Sequence, residues 1–165
     1  MSKLIGGIIL FVIFIASIYC AFYFEESFRR LIRHLYIAFT NGKISFFSPK
    51  KEIRFASWGY VVSFGLFITT LCFLFYRQPN KQRFINVALA IFLLVASILI
   101  QSYLGSLFKL IECTACNDGT RKLHFNEINY DQIFISSLIA AIIPFAITEI
   151  RKFIRLKDLA GTKFK

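Results

Sequence analysis

Two cysteines separated by two residues, Cys113 and Cys116, form the one motif in this sequence whose residue types and spacing could do chemistry. A CxxC pair can close a small disulfide ring and shuttle two electrons, because one of its thiolates is readily stabilised. The same two thiols, with His124, could instead supply three ligands to zinc, with the fourth from Asp118, Glu127 or another subunit. In a third interpretation the pair is a structural disulfide or two unpaired thiols in a connecting loop, and we favour this one.

Other residue groupings typical of enzymes are absent from the sequence. It contains no glycine-rich phosphate loop, no HExxH motif and only two histidines, His34 and His124. A proton or ion pathway normally places acids or bases inside the membrane spans, whereas the apolar runs here offer only Gln101 and hydroxyl groups. We therefore expect no enzymatic activity and no cofactor, with zinc present only if the CxxC pair binds it.

The elements that must position these residues are four long apolar runs. The chain of 165 residues is 57% hydrophobic and has a mean hydropathy of +0.64, which is typical of a membrane protein. About 20 apolar residues in a helix cross about 30 Å of hydrocarbon, and a helix satisfies its own backbone groups in lipid. The sequence predicts an all-α membrane protein, a single domain over 1–165 that forms a four-transmembrane-helix bundle. The predicted spans are about 4–24, 58–76, 84–108 and 133–150.

Two smaller elements are predicted between the first and second spans. Segment 27–39 has apolar residues at helical spacing and basic residues on the opposite face, which is typical of an amphipathic helix in the head-group plane. The alternative is that this segment packs along the bundle as a connector. Further on, Ile44–Phe47 and Glu52–Phe55 flank turn residues around Pro49, and this pattern predicts a small β-hairpin.

The charge pattern indicates which partners to expect. A net charge of +11, from 20 Lys and Arg against 9 acidic residues, would suggest nucleic acid if the protein were soluble. Here the basic side chains lie at the ends of spans, where they extend to lipid head groups. We therefore expect the lipid bilayer as a partner, and no nucleic acid. The residues that we expect at the membrane interface are Arg29, Arg30, Arg33, Trp58, Tyr60, Arg151 and Lys152.

The orientation is less well determined by these charges. Four spans place both termini on one side, and Lys and Arg are divided equally, ten on each side. We expect both termini in the cytoplasm, with the protein in a bacterial inner membrane. The basic tail 151–165 is the densest basic cluster, and the CxxC loop 109–131 is slightly acidic. The basic segment 27–39 favours the opposite orientation, because anionic lipid is richest on the cytoplasmic face.

Three further expectations concern contacts between the spans. The short link at 77–83 predicts that the second and third spans are antiparallel neighbours. Ser97 and Gln101 lie four residues apart and predict hydrogen bonds to another helix, although intramembrane polar groups also occur at functional sites. Cys20 and Cys72 have apolar neighbours in the sequence, so we expect both to be buried as small hydrophobic residues.

In size, span number and the presence of one CxxC pair, the sequence resembles the DsbB and VKOR families of membrane thiol oxidoreductases. The resemblance implies a redox-active Cys113 and Cys116 pair coupled to a quinone. The quinone-coupled pair lies in the first extracytoplasmic loop of DsbB proteins and at the start of the last helix of VKOR proteins. Here it follows the third span, and the 25–57 loop has no cysteine that could act as a shuttle partner.

In size and span number the sequence is also similar to immunity proteins of some pore-forming bacteriocins. We expect a non-enzymatic membrane protein that binds another membrane protein or a membrane-inserted polypeptide, in an immunity, exclusion or accessory-subunit role. One alternative is a membrane thiol–disulfide oxidoreductase that uses Cys113 and Cys116. The other is a structural subunit of a large membrane complex.

Overall fold

The computed structural model describes residues 3–47, 57–112 and 120–162. These residues form four long helices, two short strands and one turn of 3-10 helix. The elements are α1 (Lys3–Phe39), β1 (Ile44–Phe47), α2 (Trp58–Arg77), α3 (Asn80–Ile111), β2 (Arg121–His124), the 3-10 turn Phe125–Glu127 and α4 (Tyr130–Thr162). All four α-helices are long and apolar enough to cross a membrane, which confirms the prediction of a multi-pass helical membrane protein at that level.

The order of helices around the bundle differs from the order in the chain. Helices α1 and α4 each pack against both α2 and α3, whereas α2 and α3 are diagonally opposite and make few contacts with each other. The prediction from the short link at 77–83 is therefore wrong. A short link limits only the distance between the two linked ends. Near the start of α3, Asn86 Nδ2 donates to Thr148 Oγ1 of α4 over 2.9 Å, and this bond holds α3 against α4.

Helix α1 is much longer than a membrane span. Its 37 residues extend for about 55 Å, against about 30 Å for the 20 residues of α2. Segment 27–39 continues α1, so the prediction of a separate interfacial helix is wrong and the connector alternative is correct. Glu25 and Glu26 each bond the arginine four residues on, which supports the helix where the apolar run ends. The apolar face of the segment is buried in the protein through Phe28, Ile32 and Tyr36.

The two strands form a parallel ribbon. Strand β1 covers the predicted segment and begins after an Asn41-Gly42 turn with φ of 50° and 76°. It pairs with β2 in the register Ile44↔Arg121 to Phe47↔His124. The predicted hairpin pairs this strand with Glu52–Phe55, whereas its observed partner is β2. Residues 48–56 lie outside the described part of the chain. A two-stranded ribbon is marginal alone, so packing on the helices must stabilise it. Ile44 and Leu123 provide that packing, because both are fully buried in the core.

Helix α4 crosses the bundle and continues into the basic tail. Pro144 lies inside this helix without ending it, and the helix runs on to Thr162.

At the opposite end of the bundle α1, α3 and the ribbon extend past the level of Glu25 and Ser57. We call this extension the head and define it as residues 26–47, 106–111 and 120–129. The level at which the head joins the bundle is called the neck.

Candidate functional site

The residues that carried the chemical hypotheses are only partly described. Cys113 and Cys116 lie outside the described residues, so their redox and zinc interpretations stay predictions. The Nδ1 atom of His124 accepts a hydrogen bond from the Asn126 backbone N–H at 3.4 Å. The backbone N–H of His124 donates to Glu127 Oε1 at 2.8 Å. These bonds cap the 3-10 turn. Within the described ranges, no three His, Cys, Asp or Glu side chains are close enough to hold a metal ion.

The neck contains a buried ion pair within α1 whose carboxylate also bonds the start of α2. The side chain of Glu25 is 7% exposed, and its Oε1 accepts from Arg29 Nη2 at 2.6 Å and from Nε at 2.9 Å. The same carboxylate accepts from the backbone N–H of Ser57 at 3.2 Å, immediately before α2 begins. One acid at the end of the first span therefore holds both its own helix and the start of α2.

A second acid extends this network to α4, the third helix that the network joins. The Ser57 hydroxyl donates to Asp131 Oδ2 in the first turn of α4 over 2.5 Å. The Arg29 guanidinium lies 3.9 Å from Asp131 Oδ1 and 5.0 Å from the centre of the Tyr130 ring. A recess of about 360 Å³ opens onto Arg29 and Asp131 from the side of the 3-10 turn. We call Glu25, Arg29, Ser57 and Asp131 the neck cluster; it carries two negative charges and one positive charge.

Sequence reasoning did not find the neck cluster. Its members are separated by up to 106 positions, and Arg29 was predicted to face lipid head groups. The available signal was that Glu25 ends the first span and Asp131 precedes the fourth, which puts both acids at the same membrane face. Each acid of the cluster bonds a partner within it. This arrangement suits the fixing of three helices better than the binding of a free ligand.

Aromatic rings fill the space between the helices next to the neck cluster. The Tyr60 and Phe134 rings stack with centroids 3.9 Å apart, and Phe28 and Phe64 surround them. Tyr60, predicted to lie at the membrane interface, is only 2% exposed and belongs to the bundle core. Trp58, with the same prediction, is 77% exposed on the outer surface.

The remaining residues predicted at the interface lie at the two ends of the molecule. Arg30 and Arg33 belong to the head and both bond Glu26, at 3.1 Å and 3.3 Å. Arg151 is exposed where α4 leaves the bundle, and the neighbouring Lys152 pairs with Glu149 at 2.7 Å. These positions are compatible with contact with head groups, which stays a prediction.

Polar side chains join α3 and α4 inside the bundle. Gln101 donates to Ser97 at 2.7 Å and to Ser137 at 3.3 Å, and it accepts from Ser136 at 2.6 Å. A second group lies towards the other end, where Asn86 bonds Thr148 as well as Gln78. The expected interhelical role of Ser97 and Gln101 is thus confirmed. Both the amide nitrogen and the amide oxygen of Gln101 bond serine hydroxyl groups.

An apolar cleft of about 390 Å³ lies between the diverging helices α2 and α3, with α4 as its floor. It is open at the side of the bundle that faces lipid. Cys72, on its wall, is half-buried, whereas Cys20 is exposed on the outside of α1, so the prediction that Cys20 is buried is wrong. The residues used below to describe the cleft are Phe75 of α2, Val87 and Ala90 of α3, and Ala141 and Phe145 of α4.

Comparison of the chain with protein-family models, with curated proteins and with solved structures finds no match.

Proposed function

We propose that this is a non-enzymatic, multi-pass protein of a bacterial inner membrane that binds another membrane protein or a membrane-inserted polypeptide through its head. Both termini lie in the cytoplasm in this proposal, and the head faces the opposite side. The observation that carries the proposal is a well-packed head that exposes apolar side chains past the neck.

The length of α2 supports this placement of the membrane. Its 20 residues span about 30 Å, the thickness of the hydrocarbon layer, and it begins at an exposed tryptophan and ends at an arginine. Segment 27–39 of α1 then extends about 20 Å beyond the neck. Leu31 lies about 9 Å past Glu25, and Ile37 about 18 Å past it. The head-group layer adds only about 5–8 Å on each side, so Ile37 lies outside the bilayer.

The exposed surface of the head combines apolar and basic groups. On α1, Leu31 is 49% exposed and Ile37 is 37% exposed, with exposed Arg30 and His34 on the same stripe of the helix. On the outer face of the ribbon, Phe47 is 63% exposed. Large apolar groups that neither lipid nor protein covers are typical of a protein interaction site. The basic neighbours favour a partner with acidic groups around an apolar contact.

The head is also rigid enough to present that surface. Ile32, Ile44 and Leu123 are fully buried between α1 and the ribbon. Arg121 joins the ribbon to the end of α3, because its guanidinium donates to the Lys109 carbonyl oxygen and pairs with a glutamate there. A preformed surface loses less conformational entropy on binding than a flexible loop does. An immunity, exclusion or accessory-subunit role would use such a surface.

Photo-crosslinking in the native cells tests this function. Benzoylphenylalanine at position 31 or 37 should give a discrete protein adduct, and Arg30→Glu should remove it because that change reverses a charge in the stripe. The matched controls are positions 8 and 11, which are similarly exposed on α1 at the level of the membrane. The same diffuse adducts at all four positions, or an adduct that persists with Arg30→Glu, would contradict the proposal.

The alternative functions give different results in the same cells. A variant with all four cysteines changed to serine should keep the adduct if the protein acts by binding. Loss of the adduct in Cys113→Ser alone would favour the thiol–disulfide oxidoreductase, which rests on two residues outside the described chain. Co-purification of the protein in fixed stoichiometry with many subunits would favour the structural-subunit alternative.

A further inference from the structure

The apolar cleft between α2 and α3 has a basic side chain at one end. The cleft exists because α2 and α3 diverge and because the small side chains of Ala90 and Ala141 leave its inner wall open. Dispersion contacts are lost wherever such a wall has no neighbouring atoms, so in a bilayer an open apolar cleft is filled by hydrocarbon.

The size of the cleft favours an acyl chain over a helix. One helical turn about 10 Å across and 5.4 Å high occupies roughly 400 Å³, about the whole volume of the cleft. A transmembrane helix could therefore insert only about one turn of its length. A single acyl chain is narrower and could lie along the cleft between Phe75 and Phe145.

The end of the cleft nearest the termini is basic. The Arg83 guanidinium lies 5.2 Å from the centre of the Phe75 ring, which lines the cleft, and Arg83 is one helical turn from Val87 on the opposite wall. Arg83 is held there because Nε donates to the Gln78 carbonyl at 2.5 Å and Nη2 to the Tyr76 carbonyl at 3.1 Å. This stacked arginine thus occupies a fixed place at the mouth.

Two further cations lie at the same end of the bundle, outside the cleft. The Arg77 guanidinium lies 5.4 Å from the centre of the Phe73 ring, and the Lys152 ammonium donates to the Arg77 carbonyl at 3.4 Å. A recess of about 490 Å³ opens next to them, lined in part by Arg77, Lys152 and Glu149. Glu149 bonds Lys152, so the arginines supply the excess positive charge at this end.

We propose that the cleft binds one anionic phospholipid, with an acyl chain between α2 and α3 and the phosphate at Arg83. Arginine binds phosphate through paired N–H groups, and basic recesses between transmembrane helices are suited to anionic head groups. The proposal concerns the end of the bundle remote from the head, so it does not depend on the function proposed for the head.

Alkylation of Cys72 by N-ethylmaleimide tests the position of the chain. Two single-cysteine proteins are purified in detergent, one with Cys72 and one with Cys20, and the rate is measured with phosphatidylglycerol or phosphatidylcholine added. Phosphatidylglycerol should slow the alkylation of Cys72 at least fivefold at a concentration at which phosphatidylcholine has little effect. Cys20 is the matched control, because it faces outward on α1 and should react at the same rate with either lipid.

Variants of the arginine test the head group. Arg83→Gln should abolish the selective slowing, and Arg83→Lys should keep most of it. Arg30→Gln, which removes a charge at the other end of the molecule, should change nothing. Native mass spectrometry should show one retained phosphatidylglycerol, fewer with Arg83→Gln, and little retained phosphatidylcholine.

Three outcomes would overturn the proposal. Equal protection by both lipids would show that the basic mouth does not select anionic head groups. Protection of Cys72 that rises with protein concentration and not with lipid would show that a helix of a second copy fills the cleft. Unchanged lipid selectivity in Arg83→Gln, with the variant folded by circular dichroism, would show that the arginine at the mouth does not select the head group.

Discussion

Replacement of Glu25 by alanine should destabilise the protein far more than replacement of its neighbour Glu26. Both acids bond the arginine four residues on, but the Glu25 side chain is 7% exposed and the Glu26 side chain 52% exposed. Glu25→Ala removes two bonds from Arg29 and the acceptor of the Ser57 N–H group. Glu26→Ala removes only exposed pairs. The two variants thus differ in burial while the helix and the residue type are kept constant.

The magnitude follows from the burial of the two pairs. Breaking a buried ion pair costs about 3–5 kcal/mol, and the lower end applies because Arg29 is partly exposed and Asp131 remains 3.9 Å away. We expect about 3 kcal/mol for Glu25→Ala. For Glu26→Ala we expect about 0.5 kcal/mol, the usual worth of an exposed pair. The difference is roughly a 70-fold change in the unfolding equilibrium constant.

Reversible unfolding in mixed micelles of dodecyl maltoside and sodium dodecyl sulfate measures these energies. Fluorescence of Trp58, the single tryptophan, reports on the neck, and circular dichroism reports on the helices as a whole. The double variant Glu25→Leu with Arg29→Met should recover at least half of the loss, because it removes both charges of the buried pair and leaves only the carboxylate of Asp131, whose side chain is 36% exposed. Free energies of unfolding for Glu25→Ala and Glu26→Ala that agree within about 0.5 kcal/mol would refute this account of the neck.

Three other predictions use the same assay. Gly105→Ala would place a methyl carbon against the Tyr36 hydroxyl oxygen, too close for the two atoms to fit, so it should cost about 1–3 kcal/mol. Tyr36→Phe in that background should recover part of the loss. Asn86→Ala should cost about 1–3 kcal/mol, since it removes the buried donor to Gln78 Oε1 and to Thr148 Oγ1; no loss would refute the role of this residue. The pKa of Glu112 is lowered by its hydrogen bond and charge interaction with Lys109, so this contact should stabilise the protein above about pH 4.3 and be lost as the pH falls through the lowered pKa. Glu112→Gln should remove that pH-dependent part, and an unchanged pH profile would contradict it.

The sequence was sufficient for the spans and insufficient for their arrangement. Apolar runs such as 84–108 predict helices because the cost of unbonded backbone in lipid depends only on local composition. The end of the first helix could not be placed the same way. Hydropathy falls at Glu25, whereas the helical spacing of apolar residues continues to Phe39. The structure follows the spacing, because the buried face of segment 27–39 has protein to pack against.

Contacts between distant residues were beyond the reach of local patterns. The strand propensity of Ile44–Phe47 is local and predicted β1, but the choice of β2 as partner depends on where α2 and α3 return the chain. The neck cluster is similar, because the meaning of Glu25 depends on Ser57 and Asp131 at the same level. Charge at a span end predicts head-group contact by default, and only the three-dimensional structure distinguishes that from an internal ion pair.

The parallel ribbon has a consequence for how the chain is inserted into the membrane. Strands β1 and β2 are separated by α2 and α3, so the crossover that a parallel pair requires passes through the bilayer twice. The strands can meet only when both of these helices have crossed or neither has. A chain with one of them left on the wrong side would keep Ile44 and Leu123 on opposite faces of the membrane, with no head to bury them. Pairing of the two strands therefore requires that α2 and α3 are either both inserted or both not inserted. It is completed only after three of the four helices are in place.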